Sequence, residues 1–74
     1  MNINDLLISE KSVYCRASFL KNYKAGDLLG YNLQRDCLNI LVDCEINLFD
    51  DHVLDFINIV CRGNKNFKLN IYSE

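Results

Sequence analysis

Residues 37–63 read CLNILVDCEINLFDDHVLDFINIVCRG, and two hydrophobic periods follow one another within them. Leu38, Ile40, Val42, Cys44 and Ile46 fall on alternate positions, with Asn39, Asp43 and Glu45 between them and Leu41 the exception. That is the period of a half-buried β-strand. Phe49, Val53, Phe56, Ile57 and Val60 then recur at helical spacing, and Gly63 follows where a helix commonly stops. Asn47 or Asp50 can cap this helix, and Asp50 and Asp51 in its first turn suit the helix dipole. A strand, a turn and a helix are therefore expected here, and the rest of the chain must pack against them.

Working outward, Asn4–Glu10 is a short helix candidate, with Asn2 or Asn4 as cap and Ile3, Leu6 and Leu7 on one face. It is too short to be stable alone and must dock on a sheet. Val13, Cys15, Ala17 and Phe19 alternate with Tyr14, Arg16 and Ser18, which predicts a first strand. Lys21–Gly26 reads as a loop, Leu28–Gln34 as a second strand, and the short turn at Gln34-Arg35-Asp36 makes the second and third strands antiparallel neighbours. Beyond Gly63, Phe67, Leu69 and Ile71 alternate with Lys68, Asn70 and Tyr72 as a fourth strand. The expected fold is a single α+β domain over residues 1–74, in the order α-β-β-β-α-β. Its sheet has three or four strands, largely antiparallel, with one main helix packed across it.

Length and composition fit this reading. The chain has 74 residues, 50% of them apolar, with no proline and no tryptophan. That is enough for one compact core, near the small end of what a core can hold. No apolar run approaches the roughly 20 residues needed to span a bilayer, and Met1–Asp5 lacks the basic and apolar regions of a signal peptide. A soluble cytoplasmic protein is expected. Cys15, Cys37, Cys44 and Cys61 contain no C-x-x-C pair, and His52 is the one histidine, so buried reduced thiols are expected rather than disulfides or a zinc site. Cys15 and Cys44 have core parity, whereas Cys37 has the opposite parity on a regular strand.

No catalytic constellation is present in the sequence. His52 follows two aspartates, but adjacent helix residues do not face one another, and Gly26, Gly30 and Gly63 are isolated rather than grouped into a phosphate loop. Asp43 and Glu45 share the outer face of a strand, where solvation explains them better than a metal does. Neither an enzyme nor a cofactor is expected.

Charge is the asymmetric feature. Asp36, Asp43, Glu45, Asp50, Asp51 and Asp55 give residues 36–61 a formal charge of −6 with no lysine or arginine. Residues 1–35 sum to +2 (five basic, three acidic) and residues 62–74 to +2 (three basic, one acidic), which recovers the net −2. These six residues are the candidate partner-binding face. A local negative field of this kind attracts a basic protein surface, and such surfaces belong above all to nucleases and nucleic-acid-binding proteins. The basic residues Lys21, Lys24, Arg62, Lys65 and Lys68 are scattered, which disfavours direct contact with nucleic acid. A homodimer is left open.

The opening Met1-Asn2-Ile3-Asn4-Asp5-Leu6 resembles the start of a small phage-encoded type II-A anti-CRISPR protein, a family that inhibits an RNA-guided DNA nuclease. Val53-Leu54-Asp55-Phe56-Ile57 is similar to that family's Val-Glu-Lys-Phe-Ile stretch. The resemblance implies a short helix, three antiparallel strands and a helix, and an acidic mimic of DNA that covers the site reading the duplex signal beside the target. This chain departs from the family in being only slightly acidic overall and in ending on a strand pattern rather than an acidic helix. The match assigns no role to Asp5 or Asp55. The resemblance implies a phage or mobile-element inhibitor of a host defence complex. The alternatives are an immunity protein or antitoxin that blocks a nuclease toxin, and an oligomeric accessory DNA-binding protein that uses Tyr14, Arg16 and the basic loops.

Overall fold

The computed structural model describes residues 6–73. Four strands, β1 (Leu6–Ile8), β2 (Ser12–Arg16), β3 (Cys37–Val42) and β4 (Lys68–Ser73), form one sheet in the order β1-β2-β3-β4. Helix α1 (Ala17–Asn22) and a 3-10 helix (Ala25–Leu28) connect β2 to β3, and α2 (Asp51–Cys61) connects β3 to β4. The two helices contact one another and β3, so they share one face of the sheet and leave the other face open. The α+β class, the number of strands and the single main helix are as expected from the sequence, although one of the four strands is not among those expected.

The direction of pairing differs from expectation. Only β1 and β2 are antiparallel, with Leu6 opposite Cys15, whereas β2–β3 and β3–β4 are parallel, with Cys15 opposite Ile40 and Ile40 opposite Ile71. The reason lies in the stretch read as a second strand. Residues 28–34 form no strand. Gly30 takes φ +89°, which breaks extended geometry, and Leu28 and Leu33 point into the core while Leu29 is 81% exposed. The whole of residues 17–36 thus becomes a crossover, and a crossover of that length joins parallel strands. At its end Arg35 N–H donates to the Val60 carbonyl at 2.9 Å and Asp36 N–H to the Lys11 carbonyl at 3.1 Å, instead of closing a hairpin.

Four further boundaries move. Within the predicted N-terminal helix, Leu6–Ile8 are strand, while Asn2, Ile3, Asn4 and Asp5 lie outside the described residues. A helix of seven residues does not meet its nucleation cost alone, and Leu6–Ile8 pair with β2 instead. The hairpin with β2 is closed by Ser9, whose N–H donates to the Ser12 carbonyl at 2.8 Å. The first predicted strand stops at Arg16, and Ala17, Phe19 and Leu20 turn into the buried side of α1. The predicted loop at Lys21–Gly26 is in part the end of α1 and the start of the 3-10 helix. Strand β3 ends at Val42, because Asp43 leaves the ladder to bond α1.

The core lies between helices and sheet. Val13, Leu38 and Ile40 from the strands meet Leu20 of α1 and Val53, Phe56 and Val60 of α2. Phe56 is fully buried and takes the edges of Phe19 and Tyr23, with ring centroids 5.9 and 5.4 Å away. Helix α2 begins at Asp50, whose Oδ1 accepts from His52 N–H at 2.9 Å, and ends on Arg62 in the left-handed region at φ 39°. Among the described residues no helix is long and apolar enough to cross a membrane.

Candidate functional site: the carboxyl end of the sheet

The parallel strands bring their carboxyl ends, Arg16, Val42 and Ser73, to one side of the molecule. The loop that leaves β3 there carries Asp43 and Glu45, and the amino end of α2 returns with Asp50 and Asp51. Asp55 lies one helical turn further along α2, on the same face as Asp51. Asp36 does not join them. It precedes β3 at the opposite end, roughly 23 Å from Asp43 at about 3.3 Å per strand residue. There its Oδ1 accepts from the Asn64 amide at 2.7 Å and its carbonyl from Lys68 N–H at 2.9 Å. Asp36 ties the start of β4 to the start of β3.

Asp43 is also structurally occupied. Its carboxylate accepts from Ser18 N–H at 2.9 Å and Ser18 Oγ at 2.7 Å, and the Arg16 guanidinium is 4.0 Å away. The Ser18 side-chain and backbone hydrogen bonds, with smaller help from Arg16, hold its pKa below the usual carboxylate value against a modest desolvation effect. Asp50 caps α2 through one oxygen and is exposed. Glu45, Asp51 and Asp55 are exposed as well. The usable carboxylates are thus Glu45, Asp50, Asp51 and Asp55; Glu45 and Asp50 share an open cleft with Lys21 and Lys24, and Asp55 lies in a second one with Arg62.

Phe49 stands at the end of this loop, directly before the Asp50 cap, and is 84% exposed. Helical spacing places it on the buried face of α2, which the structure corrects. The Asn47 side chain accepts from Phe49 N–H at 3.0 Å, an Asx turn that holds Phe49 ahead of the Asp50 cap. A cap at Asp50 makes Phe49 the residue before the cap, a position that often packs back on the first helical turns. Here it points outward instead. The sequence signal that could have found it is the cap itself, which puts Phe49 outside the helix.

Beside the acidic end, Tyr23 stacks on His52 with centroids 4.0 Å apart and donates its hydroxyl to the His52 carbonyl at 2.7 Å. Burial, and secondarily the Asp55 charge, push the Tyr23 pKa up. His52 is thereby part of the α1–α2 junction. All four cysteines are free thiols, and among the described residues no three His, Cys, Asp or Glu side chains come together as a metal set. Cys15 is buried in the core, and desolvation pushes its pKa up to about 12. Cys37 has the opposite orientation, as its parity predicts, and accepts from Asn70 Nδ2 at 3.2 Å on the open face.

These features define a two-layer α+β domain with an exposed aromatic residue directly before the acidic first turn of its main helix. The chain matches no protein-family model, no curated protein sequence and no solved structure.

Proposed function

We propose that this protein is a small inhibitor that acts by binding rather than catalysis, presenting Phe49 and the carboxylates Glu45, Asp50, Asp51 and Asp55 to a basic protein surface. The observation that carries this reading is the exposure of Phe49 immediately before the acidic residues Asp50 and Asp51. Interfaces commonly pair an aromatic anchor with charged groups at the rim, the anchor supplying affinity and the charges steering approach. A partner rich in positive charge is a nucleic-acid-binding protein, and the resemblance to anti-CRISPR proteins narrows the class to an RNA-guided nuclease or other nucleic-acid-targeting defence complex in the host cytoplasm. Of the six acidic residues of residues 36–61, Asp36 and Asp43 belong to the fold in this reading and only the other four to the interface.

The test is a DNA-cleavage assay with a purified RNA-guided nuclease of type II. Added protein should inhibit cleavage, and Asp51→Lys with Asp55→Lys should abolish inhibition while the circular dichroism spectrum stays native. A nuclease toxin in the same assay addresses the immunity-protein alternative. Inhibition of neither enzyme would overturn the reading.

A further inference from the structure

The face of the sheet turned away from the helices carries Leu7, then Ser12, Tyr14 and Arg16, then Cys37, Asn39 and Leu41, then Lys68, Asn70 and Tyr72, as the strand registers dictate. None of these strand positions is acidic. Lys68 and Arg16 are the basic residues of this face, Arg16 sharing its charge with Asp43 at 4.0 Å. The scattered basic residues of the sequence are in this way partly sorted by the fold, because strand alternation puts both on one side.

Toward the carboxyl end of this face is a pocket of about 220 Å3 lined by Leu7, Tyr14, Cys15, Arg16, Asn39, Leu41 and Tyr72. It is smaller than the roughly 300–1,000 Å3 of drug-sized ligand sites, which leaves room for one planar ring. Its floor is Asn39, a polar side chain on a central strand that is only 5% exposed. The Asn39 Oδ1 is heavily used: Asn70 Nδ2 donates to it at 3.1 Å, the Tyr72 hydroxyl at 3.3 Å and the Cys37 thiol weakly at 3.8 Å. The amide nitrogen of Asn39 donates to none of the described residues, yet no side-chain nitrogen or oxygen shut off from solvent among them lacks a partner. That nitrogen therefore opens into the pocket, where it offers a hydrogen-bond donor. Tyr14 and Tyr72, on strands either side of β3, are 46% and 51% exposed.

We propose that this open face binds single-stranded nucleic acid, with one base in the pocket against Tyr14, Leu41 and Tyr72 and the Asn39 amide donating to a base carbonyl or ring nitrogen. Exposed aromatics on a sheet are stacking platforms for unpaired bases, and a base edge supplies the acceptor that Asn39 lacks. Lys68 and the half-exposed Arg16, which Asp43 partly neutralises, suit a phosphate backbone, whereas a second copy of this face would set basic residues against basic residues. The pocket adjoins the carboxyl end of the sheet through Arg16, but it opens on the other face from α2, and binding at one does not require binding at the other.

The experiment is fluorescence anisotropy with labelled dT and U decamers at low salt, with duplex DNA alongside and the two single strands distinguishing DNA from RNA as the source. At least one single strand should bind in preference to the duplex, and more weakly as salt rises. Tyr14→Ala should weaken it by about 5- to 100-fold, the range for removing one stacking partner. Nuclear magnetic resonance of the wild-type protein should show the Asn39 side-chain amide shifting on addition of the oligonucleotide, a readout that does not depend on how the variant folds. Absence of binding to both single strands would overturn the proposal. So would equal binding of duplex, an unmoved Asn39 amide, or shifts of this face that follow protein concentration alone, which would mean that a second copy covers it.

Discussion

Asp43 caps α1 from a distance of 25 residues along the chain, both of its oxygens being bonded by Ser18. The helix has only six residues and no side-chain cap of its own at Arg16, so its amino end depends on a carboxylate delivered by the end of β3. Asp43→Ala should lower the melting temperature at neutral pH. The effect should also depend on pH with a definite sign. A carboxyl whose folded pKa is depressed adds stability that is present above its unfolded value and is lost as pH falls through the folded one. The gap in melting temperature between wild type and Asp43→Ala should therefore be full at pH 6 and close as pH drops below the ordinary carboxylate range. A gap that stays constant down to pH 2 would show that Asp43 acts through packing alone.

Phe56 is the residue on which both helices converge. Its ring is fully buried and in edge contact with Phe19 and Tyr23. Phe56→Ala should destabilise by about 3–5 kcal/mol, a large share of the roughly 5–15 kcal/mol typical of a domain. Urea unfolding checks this, and a midpoint that scarcely moves would mean that the core closes over the cavity.

Tyr23→Phe removes one hydroxyl from the α1–α2 junction and leaves the ring stack on His52 in place. The lost hydrogen bond to the His52 carbonyl should cost about 1 kcal/mol at neutral pH. Because the folded pKa of Tyr23 is raised, its contribution is full below the unfolded value of about 10 and falls as pH rises through the folded one. Chemical unfolding of both proteins at pH 7 and at pH 11 should show the difference shrinking at the higher pH.

The thiols separate by environment. Cys15 is buried with its pKa pushed up to about 12, so little thiolate forms and reagent has no access. Titration with an aromatic disulfide reagent should leave Cys15 unreacted in the native protein and reach all four cysteines after denaturation. Rapid native labelling of Cys15, identified by mass spectrometry, would mean that β2 opens far more readily than its burial suggests.

What could be read from the sequence follows from which interactions are local. Helix α2 was legible because Val53, Phe56 and Val60 share a face and Asp50 and Gly63 bracket it, all within one short segment. β3 and β4 were legible from alternation. Alternation, however, says nothing about strand direction, and reading Leu28–Gln34 as a strand hid the length of the crossover that makes β2 and β3 parallel. The start of α1 was hidden for a different reason. Val13, Cys15, Ala17 and Phe19 keep the strand period across a boundary that is set by Asp43, a residue distant in sequence. The same limit applies to the site: charge counting found the carboxylates but could not tell that Asp36 and Asp43 are committed to the fold, nor that Phe49 precedes the helix.

Phe49 and the neighbouring carboxylates should affect binding in different ways. Exposed charges act over a Debye length of about 8 Å at physiological ionic strength and mainly accelerate encounter. Asp51→Lys with Asp55→Lys should therefore slow association with a captured nuclease and flatten its dependence on salt. Phe49→Ala should leave association nearly unchanged and speed dissociation, since an apolar anchor acts after contact is made. Both variants should fold, because Phe49 contributes almost no buried surface and the two aspartates are exposed. Surface plasmon resonance at two salt concentrations separates the two effects. If Phe49→Ala binds and dissociates like wild type while the double reversal still fails, the interface is purely electrostatic and the exposed phenylalanine has no part in it.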